Sequence, residues 1–436
     1  MRHALASLLT CLLASLAWRA IGQASAASFT PLNDLGGGMY LNQFQGGLYP
    51  GGSNDIPAPH AAAGMAHAAA IMPLNVLGQP DSNGKYALLS IGMSNTTQEF
   101  CSANAAGDCA PYSLMGQAEV HPSVNHGPLV IVNGAAGGKS AAYWDSPTDP
   151  DYDRVRTQVL APMGLSELQV QAAWVKVANP GPTVSLPNSN ADAYRLVQQI
   201  GNIARALKTR YPNLQQIFLS SRIYAGYATT TLNPEPYAYE SGFAVKWLVE
   251  AQIIQMNGGG INPLAGNLDY ASGTAPWLAW GPYLWADGVN PRSDGLIWEQ
   301  SDLSGDGTHP STSGREKVAS MLLDFMLASP LTQPWFLSPT ASDYNNDGTV
   351  DAADLAAWRA GFGTSGSATH PQGDADGDLD VDGGDYLIWQ RQLGSSAPAT
   401  LNTTTVPEPP TLGLLVLGVL ASVFGRCSQC HKLIRQ

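Results

Sequence analysis

Charge is scarce in this chain: acidic and basic residues make up 13% of its 436 positions, and only 21 are Lys or Arg against 34 Asp or Glu. With no basic patch to offset phosphate repulsion, nucleic acid is excluded as a partner. Cysteine is scarce too, with five in all, and only Cys101 and Cys109 fall in the main body. His60, His67, His121 and His126 have no carboxylate or cysteine at regular ligand spacing, which argues against a metal site built on them. Glycine (46), proline (31) and apolar side chains (44%) are plentiful, as expected for one large core with long ordered loops.

Residues 1–26 have the order of parts of an export signal: Arg2 and His3, an apolar stretch over 4–18, then the small-residue site Ala24-Ser25-Ala26. Export places the body in an oxidising compartment, which favours a disulfide closing the short loop between Cys101 and Cys109. Cys11 leaves with the signal, and the Cys427/Cys430 pair lies beyond a hydrophobic tail.

Within residues 27–338, short apolar runs alternate with helical patterns. Residues 86–91, 128–132, 170–178 and 216–220 read as buried strands. A helix is predicted over 191–209, with Val197, Ile200, Ile203, Ala204 and Leu207 on one face. Another follows Pro310, with Ser313 and Glu316 spaced as a capping box. Val318, Met321, Leu322, Phe325 and Met326 form its apolar stripe. This is an α/β pattern, a parallel sheet flanked by helices, with a ligand site expected at the carboxyl ends of the strands. Residues 27–81 carry no recognisable motif.

Residues 341–394 hold ten Asp and two Arg, −8 of the −13 formal charge. They form an internal repeat. Asp343, Asn345, Asp347, Thr349, Asp351 and Asp354 recur as Asp374, Asp376, Asp378, Asp380, Asp382 and Asp385. Trp358 and Trp389, and Gly363 and Gly394, match in register. Alternating oxygen donors, a backbone carbonyl at the seventh position and a carboxylate at the twelfth suit a hard cation, namely calcium. An acidic solvated linker would have no reason to repeat its tryptophans. The pair resembles type I dockerin repeats, which implies a small all-α, paired EF-hand-like module that binds a cohesin-like domain or another surface protein. Leu379 replaces the glycine expected at the sharp turn of the second loop, so the second site is expected to be weaker.

After a polar linker over 395–405 come Val406-Pro407-Glu408-Pro409, an apolar stretch over 410–425, and Arg426. About 15 helical residues span roughly 22 Å, short for a bilayer. Residues 406–436 resemble a PEP-CTERM sorting tail. That resemblance implies a single hydrophobic helix, processing by an exosortase-type enzyme, and transient membrane anchoring at the surface of a Gram-negative bacterium. A permanent anchor is the other reading, and both place the body outside the cytoplasm.

Several residues in the body have the makings of acyl-transfer chemistry, which needs a nucleophile, a base, a carboxylate to orient the base, and oxyanion donors. Ser94 follows the first strand, Gly134 follows the second, Asn179 the third, and Asp306 and His309 precede the last helix. This order resembles SGNH/GDSL hydrolases across about residues 86–328, with Met93 where that family has Asp. The resemblance implies a flavodoxin-like fold with catalytic Ser94, His309 and Asp306, oxyanion donors at Gly134 and Asn179, and no cofactor for catalysis. Ser94 read alone is equally a helix cap. Trp277, Trp280, Trp285 and Trp298 suit either a sugar-binding cleft or plain core.

Together these features predict an exported, surface-located serine ester hydrolase acting on acylated, in particular acetylated, polysaccharide. The alternative is a non-catalytic surface protein whose body binds glycan.

Overall fold

The computed structural model describes residues 29–394 apart from 104–106, 122, 339–340 and 376–377. The export signal, the linker and the sorting tail therefore lie outside the described residues, as does Asp376. Among the described residues, no helix is long and apolar enough to cross a membrane.

Five strands form the central sheet: β1 (Tyr86–Gly92), β2 (Leu129–Asn133), β3 (Val170–Lys176), β4 (Gln216–Leu219) and β5 (Trp277–Trp280). All neighbours pair in parallel, in the order β2-β1-β3-β4-β5. Every residue of β1, β3, β4 and β5 is buried, because helices cover both faces of the sheet. That is why these strands read as continuous apolar runs and not as alternating ones. The order is flavodoxin-like, and the direction of winding reverses between β1 and β3, the switch point where such sheets place their ligands.

The fifth strand was not among those predicted. The tryptophans in it and after it are core: Trp277, Trp280, Trp285 and Trp298 are at most 3% exposed. Their indole N–H groups donate to the carbonyls of His60, Leu48 and Leu284 and, for Trp285, to the Glu235 carboxylate. With no ring face open to solvent, the tryptophans do not line a sugar cleft.

Helix α1 (Ala58–Ala69) comes from the stretch without motifs. It lies against β5 so closely that a Cβ on Gly64 would sit 2.3 Å from the Trp277 ring. Then come α2 (Ser94–Phe100), α3 (Asp192–Arg210), α4 (Tyr237–Met256) and α5 (Thr312–Ala328). The predicted stripe of α3 is buried throughout. In α5 the predicted capping box does not form: Ser311 is the N-cap, and Ser313 lies inside the helix. The Ser313 hydroxyl donates instead to Asp302 on the preceding loop, at 2.9 Å. Cys101 and Cys109 are joined as a disulfide.

The repeat region contributes α6 (Ala352–Gly361) and α7 (Gly383–Gln392), one after each acidic loop. Asp351 and Asp382 cap them by accepting from Ala353 N and Gly384 N. The two copies exchange equivalent hydrogen bonds. Trp389 donates to Asp351 O and Trp358 to Asp382 O, both at 3.0 Å. Gly394 N donates to Val350 O and Gly363 N to Val381 O, both at 2.9 Å. A small core of Tyr344, Val350 and Trp389 lies between them.

Candidate active site

At the carboxyl end of β1 the chain turns sharply into α2. Gly92 is required there, since a Cβ would lie 2.2 Å from Lys176 O and 2.4 Å from Thr96 Oγ1. Met93 is the N-cap, so Ser94 is the first residue of the helix and not its cap. Its hydroxyl is thereby released from capping and turned toward the loop before α5.

That loop supplies the base. Ser94 Oγ lies 2.8 Å from His309 Nε2, across 215 residues of sequence. The other ring nitrogen lies 2.5 Å from Asp306 Oδ2. An ionised carboxylate only accepts, so Nδ1 carries the proton and Nε2 is left to accept from the serine hydroxyl. Partial burial pushes the Asp306 carboxyl up. Hydrogen bonds from the His309 ring and from the backbone N–H groups of His309 and Thr308 outweigh that burial and hold the carboxyl below its usual range. The relay atoms are within direct proton-transfer reach.

Ser94 and His309 line a cavity of about 260 Å³ together with Met93, Gly138, Asn179 and Arg222. Asn179 is among the lining residues, with its Nδ2 donating to Gln199 Oε1 at 2.5 Å. Gly134 is not. Its carbonyl accepts from Arg154 Nη2, and the space a Cβ would need is filled by Ser90 O and the Leu89 side chain. The loop after β2 turns inward under the sheet edge at 134 and reaches the cavity only at Gly138.

Two further residues went unnoticed in the sequence. Asn95 is 1% exposed and donates to Thr308 O at 3.1 Å, which ties the helix bearing Ser94 to the residue before His309. Arg222 is also 1% exposed and reaches the same carbonyl with Nη2 at 3.5 Å. A charged residue three positions past the end of β4 was the available signal for Arg222, because strand ends face the ligand crevice. No local pattern marks Asn95. Beneath α2, Lys176 Nζ contacts both Glu99 carboxylate oxygens at 2.6 Å, and neither side chain is exposed beyond 1%.

The histidines considered for a metal are apart from the site. His60 is buried against Trp277 and bonded to Leu278 O, and burial lowers its ring to about 4. His67 pairs with Gln215. In the repeat region, carboxylate oxygens of Asp380, Asp382 and Asp385 lie within 4.8 Å of one another. In the first loop, Asp343 accepts from Asp347 N and Gly348 N, and Asp354 from Tyr344 N, Asn345 N and Asp351 N. Leu379 adopts φ 72°, matching φ 86° at Gly348 in the first loop.

No family model matches the chain, and no curated protein matches it. Among solved structures, one described as a GDSL-like lipase from Parabacteroides merdae is 14% identical, covering 58% of this chain and 97% of that one at a TM-score of 0.29. A carbohydrate esterase family 2 enzyme with its carbohydrate-binding domain, from Corynascus thermopiles (Myceliophthora fergusii), is 13% identical over 56% of this chain and 67% of that one, at 0.29. An extracellular lipase from Streptomyces rimosus is 14% identical over 54% and 99%, at 0.26.

Proposed function

We propose that the body is a serine ester hydrolase of the SGNH type, acting on an acylated, in particular acetylated, polysaccharide outside the cell. The observation that carries this reading is the Ser94–His309–Asp306 relay opening onto a cavity at the switch point of the sheet. Ser94 Oγ attacks the ester carbonyl while His309 Nε2 takes its proton. The carbonyl oxygen becomes an oxyanion, held by the Ser94 N–H, by the Asn179 amide and by the loop at Gly138. Collapse expels the alcohol, which receives the proton from His309 and leaves Ser94 acylated. Water, deprotonated by His309, then releases the acid. Asp306 holds the ring in the required tautomer throughout.

The polysaccharide is inferred from the predicted export and the dockerin-like repeat. In the same reading the repeat binds calcium through Asp343, Asn345, Asp347, Thr349 O, Asp351 and Asp354, and through the equivalent second loop. It docks on a cohesin-like or other surface protein, and the tail is processed by an exosortase-type enzyme. Clustered carboxylate oxygens at Asp380, Asp382 and Asp385 suit such a hard cation. The test is fluorophosphonate labelling of the full chain alongside hydrolysis of p-nitrophenyl acetate and acetylated xylan. Labelling and turnover should both vanish in Ser94→Ala. Turnover that survives in that variant refutes the assignment, and glycan binding without labelling favours the non-catalytic alternative.

A further inference from the structure

We propose that Arg222 forms a carboxylate-binding subsite beside Ser94, so that the favoured ester carries an anionic group on its acid or its alcohol part. The turnover part of this inference rests on the hydrolase reading above. The binding part does not.

Arg222 lies three residues past the end of β4, on the carboxyl side of the sheet, and lines the cavity although it is 1% exposed. Its guanidinium is poorly satisfied. Nε has no hydrogen-bond partner, and Nη2 makes only the 3.5 Å contact with Thr308 O. Three acids exert their field on it, namely Glu99, Glu235 and Asp306. Each is engaged elsewhere: Glu99 with Lys176, and Asp306 with His309. Glu235 accepts from Ala225 N, Tyr239 N and Trp285 Nε1. A buried guanidinium with five donors and a single long acceptor is costly unless something supplies further acceptors.

The chemistry of that missing group follows from the site. A guanidinium presents a planar fork that fits a carboxylate with two parallel hydrogen bonds. A neutral hydroxyl would offer the fork a single acceptor oxygen, whereas a carboxylate offers two in one plane. The three nearby carboxylates repel a singly charged carboxylate less than a doubly charged phosphate, so the monoanion is the better fit to the fork. The carboxylate belongs either to the acyl group, as in a succinyl-type half ester, or to the sugar, as in a uronic acid.

Calorimetry on full-length Ser94→Ala protein, titrated with glucuronate, succinate and neutral glucose, tests binding without turnover. Glucuronate or succinate should bind more tightly than glucose. Arg222→Met should weaken that binding at least tenfold, while Arg222→Lys, which keeps the charge, should retain part of it. In the Ser94-containing enzyme, the kcat/KM ratio of mono-p-nitrophenyl succinate to p-nitrophenyl acetate assigns the charge to the acyl side. The ratio of an acetylated glucuronide to the matching acetylated glucoside assigns it to the sugar. One of these ratios should fall about tenfold in Arg222→Met. Equal losses on charged and neutral esters, or no preference for either carboxylate over glucose, would overturn the subsite and leave Arg222 as a support for the Thr308–His309 turn. Arg222-dependent glucuronate binding in a protein that cleaves no ester would uphold the subsite and reject the hydrolase.

Discussion

Replacing Glu99 with leucine leaves the Lys176 ammonium buried with no counter-ion. In the native fold both Glu99 oxygens contact Nζ at 2.6 Å, and the two side chains are 1% and 0% exposed. Burial drives Glu99 up and Lys176 down, to about 8, and their mutual attraction opposes both shifts. Stranding one partner of such a pair costs about 3–5 kcal/mol, a large share of the 5–15 kcal/mol that holds a typical domain together. The double variant Glu99→Leu/Lys176→Met removes both charges together and should lie within about 1 kcal/mol of the native protein. Urea unfolding followed by tryptophan fluorescence at pH 7 and pH 9 measures the whole cycle. In Glu99→Leu the lone lysine has a folded pKa depressed below 10.5, so the unfolded chain binds more protons and stability rises with pH up to that value. The pair also clips α2 to β3, with Thr96 donating to Lys176 O, so the single variants should misplace Ser94 and lose activity before they unfold. Single variants that each cost under 1 kcal/mol, or costs that simply add in the double variant, would refute the reasoning.

Asp306→Asn frees the His309 tautomer and should lower kcat by roughly 10²–10⁴-fold with little change in KM, measured on p-nitrophenyl acetate; a loss under tenfold would remove Asp306 from the relay. Glu240 is raised by burial to about 7, so its stabilising contribution is complete below about pH 4.5 and is lost as pH rises through 7. Relative to Glu240→Gln, the native protein should therefore lose up to about 3 kcal/mol across that window in thermal melts, whereas parallel profiles would contradict the shift. Leu379→Gly removes a non-glycine residue from φ 72° and should strengthen calcium binding at the second loop by about 1 kcal/mol, roughly fivefold by calorimetry. An unchanged affinity would mean that the left-handed turn costs the loop nothing.

Four of the five strands were legible in the sequence as short, largely apolar runs. β5 escaped because its four residues include two tryptophans, which read equally as a binding surface until their burial is known. Ser94, Asp306 and His309 were legible because each stands next to a strand end or a helix start, where periodicity changes. Gly134 was misplaced because the loop after β2 holds three glycines, and its path under the sheet edge is set by contacts with Ser90 and Leu89 rather than by spacing. Asn95 is tied to Thr308 O across 213 residues, and long-range pairing leaves no local trace; Arg222 was marked only by its place shortly past the end of β4. The capping box of α5 failed for a similar reason, because Asp302 competes for the Ser313 hydroxyl.

Each half of the acidic repeat finishes its hydrogen bonding on its twin: the tryptophan and closing glycine of one copy are satisfied only by carbonyls of the other. Neither half is a self-sufficient folding unit, so cutting the repeat between residues 363 and 374 should unravel both halves. Occupancy at one loop would then be felt at its counterpart through these shared contacts. Under the proposed calcium reading, filling the pair should be a single cooperative event in calorimetry, steeper in calcium concentration than two independent sites would be.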